Sequence, residues 1–392
     1  MTTRVSFLNP FGYAVFDESA PPQPRTFGGA EVQMYYLARE LAKDLEFDVT
    51  MVVESADGRI LPEISGVKMV PVRPMAKPLV VARNYLPFLS PRYLNAMRRA
   101  DADVYVQRGA AILTGETALF CRTLRRGFVF MAAHDWDCDR HHERRGQYVS
   151  GRFYELGLRL ADVICAQSTY QHDLFREHYG IESVVLRSMY PPASHSGDER
   201  SSVLWIGRCL EWKRPMAFLD LARRVPDHAF TMVCPAYPEL PELYRRVEAQ
   251  AAALPNVTFH PFIPFAETAA LFASARLFVN TSVAEGMPNT FVQAARAGTP
   301  VVSLAVDPDR LLEHAGYGLG ANGSFERLYE NTLRLLTDEE VWRRCSANAR
   351  AYFARAHEIG SQLAMFKGAV VDAANRRRSF LSRSGCGKTE ME

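Results

Sequence analysis

Two stretches of this chain combine residue types that could bind and split phosphate esters. In the first, Gly207 and Arg208 are followed, after Cys209 to Trp212, by Lys213 and then Pro215. The apolar run SVLWIG precedes them, and Pro215 falls where a helix would open. A strand end, two cations and a helix amino terminus then meet. Arg208 could grip two oxygens in a fork, Lys213 could add a compact charge, and the helix end could add backbone donors, a combination suited to a diphosphate. A basic pair beside a strand end is also an ordinary surface feature. The second stretch is EGMPNTFVQAARAGTPVVS, which follows the strand-like run ARLFVNTS. Glu285 lies in the loop, Pro288 opens a helix, Gln293 sits one turn past Asn289, and Gly298 ends the helix before Pro300. Backbone amides near Asn289 and Thr290 would stand at a positive helix end, suited to phosphate. Glu285 could accept hydrogen bonds from two vicinal hydroxyls of a sugar. Alternatively it is a helix-proximal acid that satisfies the dipole.

The elements that must position these residues are legible as a pattern. Short apolar, β-branched runs alternate with helical patterns over nearly the whole chain, as in parallel sheets covered by helices on both faces. In the first half the runs are VSFLN, DVTMVVE, VKMVPV, VYVQR, FVFMAAH and VICAQS. Between the first two, Met34, Leu37, Ala38, Leu41 and Leu45 follow the spacing of one buried helix face, with Arg39, Glu40 and Lys43 outside it. The segment SMYPPASHSGDER is rich in proline, serine and charge, which predicts an interdomain linker over 189–200. A second alternation then begins: SVLWIG, AFTMVC, VTFHPF, ARLFVNTS and TPVVSL, with helices expected near 214–224, 239–252, 265–273 and 288–297. A long helical pattern from 338 to 375, broken near His357, closes the chain ahead of a polar tail. At ~150 residues per domain, 392 residues suit two large domains. The expected division is 1–188, the linker 189–200, 201–355, a helix over 356–376 and the tail 377–392. The fold class is α/β, with two Rossmann-like doubly wound domains facing across a cleft. Such sheets hold ligands at the carboxyl ends of their strands, so function belongs in the strand-to-helix loops.

Composition narrows the classes of function. With 48% hydrophobic and 23% charged residues the chain is neither disordered nor a coiled coil. Its 46 basic and 44 acidic residues leave a net charge of +2, so no global field points to nucleic acid, and any anion site must be local. The start MTTRVSFLNPFGYAV lacks the apolar core of a signal peptide, and no stretch approaches the ~20 apolar residues of a membrane span, which makes the cytoplasm the expected location. Seven cysteines without a CxxC pair, two of them (Cys165 and Cys234) inside strand-like runs, read as reduced and mostly buried thiols.

In the amino-terminal half, Gly28 and Gly29 precede a helix, either as plain turn and cap or as small residues that let backbone approach a ligand. His134 ends the run FVFMAAH, either facing a cleft or as a satisfied structural histidine. The segment HDWDCDRHHERR repeats Asp-x-Asp through Asp135, Asp137 and Asp139, but it lacks the glycine of a calcium loop, and a solvated loop is the expected reading. The tail's GCGKT lacks the first glycine of a phosphate loop, Ser382 standing there, and is a chance match. Basic and aromatic residues over 84–100, with Arg122, Arg125 and Arg126, form either a solvated helix face or a surface that meets anionic lipid.

The pairing of G-R-x4-K with E-G-M-P-N-T-x2-Q, together with GGAEVQMYYLARELAKD near the start, closely resembles the retaining glycosyltransferases of family 4, which have the two-domain GT-B fold. The resemblance covers most of residues 4–370. It implies that Arg208 and Lys213 bind the diphosphate of a nucleotide sugar and stabilise it as it leaves. It further implies that Glu285 binds donor-sugar hydroxyls, and that the loop Gly286, Met287, Pro288, Asn289 and Thr290, beside Gly207 on the first loop, offers backbone contacts to the donor. In the family a second glutamate holds the ribose. Gln293 stands there, losing a charge-assisted acceptor and ~1–2 kcal/mol of nucleotide binding. Gly28, Gly29 and His134 fall on the acceptor or cleft side, the 356–376 helix crosses back to the first domain, and the departing phosphate takes the acceptor's proton. Neither cofactor nor metal is expected. The implied partners are a nucleotide-sugar donor and a hydroxyl acceptor that is a glycan, a lipid-linked or a small molecule, with peripheral contact at the inner face of the membrane left open and no nucleic acid. The expected activity is retaining transfer from a nucleotide sugar in cell-surface polysaccharide or glycolipid synthesis. Two alternatives stand beside it: a GT-B sugar phosphorylase or nucleotide-sugar epimerase, and a non-catalytic nucleotide-sugar-binding protein.

Overall fold

The computed structural model describes residues 2–16, 28–54, 59–73, 91–144, 148–193 and 200–385, without the side chains of 143, 144, 148 and 377–385. The chain forms two compact units: one runs to Arg187 and resumes at Gly360, and the other is Ser188–Ile359.

The first unit is built on eight strands: β1 (Thr3–Leu8), β2 (Phe47–Val53), β3 (Glu63–Ile64), β4 (Val67–Pro71), β5 (Val104–Arg108), β6 (Gly127–Met131), β7 (Val163–Ala166) and β8 (Val184–Val185). They lie in the order β3-β4-β2-β1-β5-β6-β7-β8. Every neighbouring pair is parallel except the short antiparallel β3–β4 contact. Central β1 places Phe7 opposite Met51 on one side and Val106 on the other. Helices α1 (Gly29–Leu41), α2 (Pro91–Ala100), α3 (Ile112–Leu124), α4 (Tyr148–Leu160) and α5 (Thr169–Tyr179) belong to this unit. Strands buried on both faces have no polar side to alternate with, which is why their sequences read as continuous apolar runs. The expected helix face holds for Met34, Leu37, Ala38 and Leu41, all buried, but Leu45 is 94% exposed. The helix has already ended there. Asp44 accepts from the amides of Glu46 and Phe47 and turns the chain into β2.

The second unit has β9 (Ser202–Ile206), β10 (Phe230–Val233), β11 (Val257–His260), β12 (Ala275–Asn280), β13 (Val301–Ser303) and β14 (Gly318–Gly320), with α6 (Pro215–Arg224), α7 (Pro241–Ala252), α8 (Phe265–Ser274), α9 (Asn289–Ala297), α10 (Phe325–Thr337) and α11 (Glu339–Ala356). Its sheet is wholly parallel in the order β11-β10-β9-β12-β13-β14. Two halves wind outward from adjacent β9 and β12, so the chain reverses direction across the sheet between those two strands, the place where such folds bind ligands. Local chemistry sets the helix ends. Ser324 and Asp338 accept from the amides of Arg327 and Val341 at the starts of α10 and α11, and Gly298 ends α9 with φ +69°, a conformation that favours glycine.

The expected linker begins as packed backbone. Met189 and Tyr190 are buried, and Tyr190 forms a parallel bridge with Glu358; residues 194–199 lie outside the described residues. The final helical pattern breaks at His357, which is buried with its ring nitrogens 2.5 Å from the Ser188 carbonyl and 3.0 Å from the Tyr352 hydroxyl. Helix α12 (Ile359–Gly385) follows and joins the first unit. Phe366 packs on Phe7, Lys367 pairs with Asp44 at 2.5 Å, and Arg376 donates to the Asp162 carbonyl. The segment assigned to a polar tail continues this helix in its backbone to Gly385, because NRRRSFLSRS contains neither glycine nor proline to stop it. Most of GCGKT, from Cys386 on, lies outside the described residues.

Candidate functional site

The loops after β9 and β12, side by side at the reversal point of the second sheet, carry the residues singled out from the sequence. After β9 the loop keeps pairing with the end of β10: Gly207 donates to the Val233 carbonyl at 3.1 Å and Cys209 to the Pro235 carbonyl at 3.0 Å. Arg208 is held between these two bonds, half-buried, its guanidinium 6.0 Å from the centre of the Tyr237 ring. Behind it, Cys209 and Cys234 are buried free thiols hydrogen-bonded to one another, a contact that draws the Cys209 thiol down and pushes Cys234 up. A 3₁₀ turn over Glu211–Lys213 and a left-handed Arg214 (φ +49°) then lead into α6, with Pro215 at its first position.

After β12, Asn280 accepts from the Ser282 amide at 3.0 Å, and the Ser282 hydroxyl donates to Glu285 Oε1 at 2.8 Å. Glu285 forms an ion pair with Lys213, the side chains being 11% and 21% exposed. The structure thus brings Lys213 and Glu285 together and sets Arg208 on the same loop as Lys213. Gly286, Met287 and Pro288 are buried, and α9 starts at Asn289 with Pro288 as its cap residue, one position later than expected. The first amides of α9, those of Asn289 and Thr290, have no partner within the helix, as for any helix start. Asn289 Oδ1 also accepts from Tyr190 at 3.4 Å. Gln293, one turn further on, reaches α8, its amide 3.2 Å from the Thr268 hydroxyl. That hydroxyl also lies 2.7 Å from the Phe265 carbonyl, and it has one proton to give.

Sequence reasoning did not single out Trp205, Thr281, Ser282 or Tyr237. The signal was Asn280-Thr281-Ser282, three polar residues closing the apolar run of β12. All three are buried, which buried polar groups accept only with partners.

Gly28, Gly29 and His134 belong to the first unit. Gly28 caps α1, and its amide donates to Glu31 at 2.8 Å, so that amide serves the helix start. Gly29 is the first helical residue. His134 follows β6; its Nδ1 accepts from the Trp136 amide at 3.1 Å, which leaves Nε2 as the protonated, donating nitrogen of the neutral ring. Its ring lies 4.3 Å from Trp136, which stacks in turn on His141. The repeated aspartates turn inward on their own chain. Asp137 accepts from Ala133 and His134, Asp139 from the His141 amide, and Asp135 from the Gln171 side chain. Burial pushes the Asp137 carboxyl up, against the pull of those backbone donors. Among the described residues no three His, Cys, Asp or Glu side chains are grouped to hold a metal, and no helix is long and apolar enough to cross a membrane.

Comparison with known proteins gives the family and the fold. The model of Glycosyltransferase Family 4 matches residues 27–192 and that of Glycosyl transferases group 1 matches residues 200–338. No curated protein matches the sequence. Among solved structures, HepE of Anabaena, in complex with UDP and glucose, is 17% identical over 94% of this chain and 99% of its own, with a TM-score of 0.72. Sucrose-phosphate synthase of Thermosynechococcus elongatus is 14% identical over 97% and 100%, with a TM-score of 0.73. The trehalose-6-phosphate synthase OtsA is 10% identical over 94% and 99%, with a TM-score of 0.71. These neighbours share the GT-B fold. With each of its units matched by a model of the same enzyme group, the chain belongs to the group 1, family 4 glycosyltransferases.

Proposed function

We propose that the protein transfers a sugar from a nucleoside-diphosphate sugar to a hydroxyl acceptor with retention of anomeric configuration and without a metal ion, in polysaccharide or glycolipid synthesis. The observation that carries this reading is the meeting of Lys213 and Glu285, with Arg208 on the same loop as Lys213, at the reversal point of the second sheet. Cleaving the bond between the sugar and the diphosphate builds negative charge on the leaving oxygens. Arg208 and Lys213 neutralise it where a divalent cation would otherwise be required. Glu285 takes two sugar hydroxyls, and the start of α9 supplies backbone donors from Asn289 and Thr290, with Gly207, Gly286, Met287 and Pro288 shaping the backbone around the donor. Gln293 is assigned to the nucleotide side, as a neutral amide in place of a carboxylate. The departing phosphate oxygen takes the proton of the acceptor hydroxyl on the face it leaves, so no protein nucleophile enters.

Acceptor binding is assigned to the first unit, at the carboxyl ends of its strands, where Gly28, Gly29 and the donating Nε2 of His134 lie. HepE was solved with UDP and with UDP-glucose, which makes UDP-sugars the first donors to try. Incubation with UDP-glucose, GDP-mannose and ADP-glucose, with proton NMR of the released or transferred sugar, tests the reading: the donor's anomeric configuration is expected first in the product, and an inverted product refutes it.

A cytoplasmic protein at the inner face of an anionic membrane is the setting we assign. Of the basic residues read from the sequence, Arg126 is spent on Asp101 and Asp103, Arg92 on Glu54 and Arg99 on the Pro71 carbonyl. Residues 84–90 lie outside the described residues. Arg98, Arg122 and Arg125 are exposed, and Leu124 among them is 44% exposed. Binding to phosphatidylglycerol vesicles is expected, lost at ~0.5 M salt and absent on phosphatidylcholine, as sedimentation would show. Equal binding to both vesicle types would remove these arginines from the account.

A further inference from the structure

We infer that Thr281 and Ser282 are positioning residues that set the two partners of the Lys213–Glu285 pair, Thr281 through the backbone of Lys213 and Ser282 through the carboxylate of Glu285. This rests on the reading above that Lys213 meets the donor's diphosphate and Glu285 its sugar. The Trp205 indole Nε1 donates to Thr281 Oγ1 at 2.9 Å, and Thr281 Oγ1 donates to the Lys213 carbonyl at 2.6 Å. An indole nitrogen can only donate, so the Thr281 oxygen must accept there, and its single proton is left for the carbonyl. The relay therefore has one direction. Both side chains are buried, where an unmade hydrogen bond is costly.

Lys213 needs such a hold. It closes a three-residue turn and precedes the left-handed Arg214, so no regular helix or strand fixes its backbone. A second tie, from the Val283 amide to the Trp212 carbonyl at 2.9 Å, joins the same two loops one residue away. On the other side of the same dipeptide, Ser282 is anchored by its amide on Asn280 and directs its hydroxyl at Glu285 Oε1 at 2.8 Å. Adjacent residues at the end of one strand thus act on a cation and an anion that lie on different loops. Its pairing with Lys213 is a contact the arriving diphosphate competes for. Ser282 keeps Glu285 in place when Lys213 turns to phosphate.

The test follows turnover and donor KM from hydrolysis of UDP-glucose, GDP-mannose and ADP-glucose, read as released nucleoside diphosphate. Thr281→Val, of equal size, is expected to lower kcat by about 30-fold with KM changed less than about 3-fold, since misplacement of a group that acts on the leaving phosphate appears in the chemical step. Thr281→Ser, which restores the hydroxyl, is expected within about 3-fold of the parent. Ser282→Ala should lower kcat by about 10-fold on its own, so the inference stays testable if Thr281→Val does not fold. A Thr281→Ser variant as slow as Thr281→Val, or Ser282→Ala at parental kcat, overturns the inference. Arg208→Ala measured alongside separates the two readings: if it is slow while the hydroxyl variants are not, the diphosphate assignment stands and the positioning role falls.

Discussion

Arg208→Ala and Lys213→Ala each slow turnover by at least ~100-fold, the loss expected when a preorganised donor to a developing charge is removed. The two losses differ in kind. Arg208 lies against Tyr237, and its removal takes away a fork of donors without exposing an opposite charge. Lys213 is paired with Glu285, a side chain only 11% exposed, so Lys213→Ala also removes the cation from that carboxylate beside the diphosphate site we propose. Donor KM therefore rises more for Lys213→Ala than for Arg208→Ala. Adding Glu285→Gln to Lys213→Ala removes the stranded charge and lowers donor KM again, although turnover stays low because the sugar has lost its acceptor. A double-mutant cycle on KM measures the coupling. Additive effects would show that Glu285 and Lys213 act apart, and near-parental turnover in both alanine variants would refute the diphosphate assignment.

The second large effect lies in the first unit, on stability. Helices α3 and α4 cross at Gly115 and Gly157. A Cβ added at Gly115 would stand 2.4 Å from the Phe153 carbonyl oxygen, and one at Gly157 would stand 2.8 Å from the carbonyl carbon of Thr114 and 2.9 Å from the amide of Gly115. These neighbours are backbone, so no rotamer change relieves the clash and the helices must part. Gly115→Ala gains under ~1 kcal/mol of helix propensity. Against that, overpacking costs about 3 kcal/mol, the upper end of the usual range. Urea unfolding followed by circular dichroism should show the midpoint of the first unit's transition falling. An unmoved midpoint would mean that this crossing is looser than its geometry indicates.

Much of this fold could be read without coordinates, for a physical reason. Parallel strands covered on both faces must be apolar throughout, so VYVQR or ARLFVN marks itself, and Pro215 and Gly298 mark helix ends through backbone preferences that need no partner. Strands β3, β8 and β14 left no mark because two or three residues carry no period; β13, equally short, showed only through the longer apolar run TPVVSL around it. Leu45 misled because helical spacing continued by one step past a turn made by the Asp44 side chain. In the site, Arg208, Lys213 and Glu285 were legible as charges in strand-to-helix loops. Thr281 and Ser282 showed only as polar residues closing an apolar run, since a bond to a carbonyl 68 positions away does not reveal its partner in the sequence. The inward turn of Asp137 was hidden similarly: a carboxylate given to neighbouring amides has the same sequence as one offered to a metal.

The return of α12 to the first unit bears on how the protein is made. Phe366 covers Phe7 of the central strand, Lys367 closes on Asp44, and the backbone of Ala373 lies 3.0 Å from where a Cβ of Gly127 would be. The first unit is thus completed only after the second has been made, and until α12 is made Phe7 of β1 and Gly127 of β6 lack the residues that pack on them. The described residues of the second unit all fall between Ser188 and Ile359, so they are made together. A nascent chain stalled before Ile359 would carry one finished unit and one with an open core, a target for chaperones and proteases. Completion of the first unit therefore depends on a helix far in sequence from the strands it packs on.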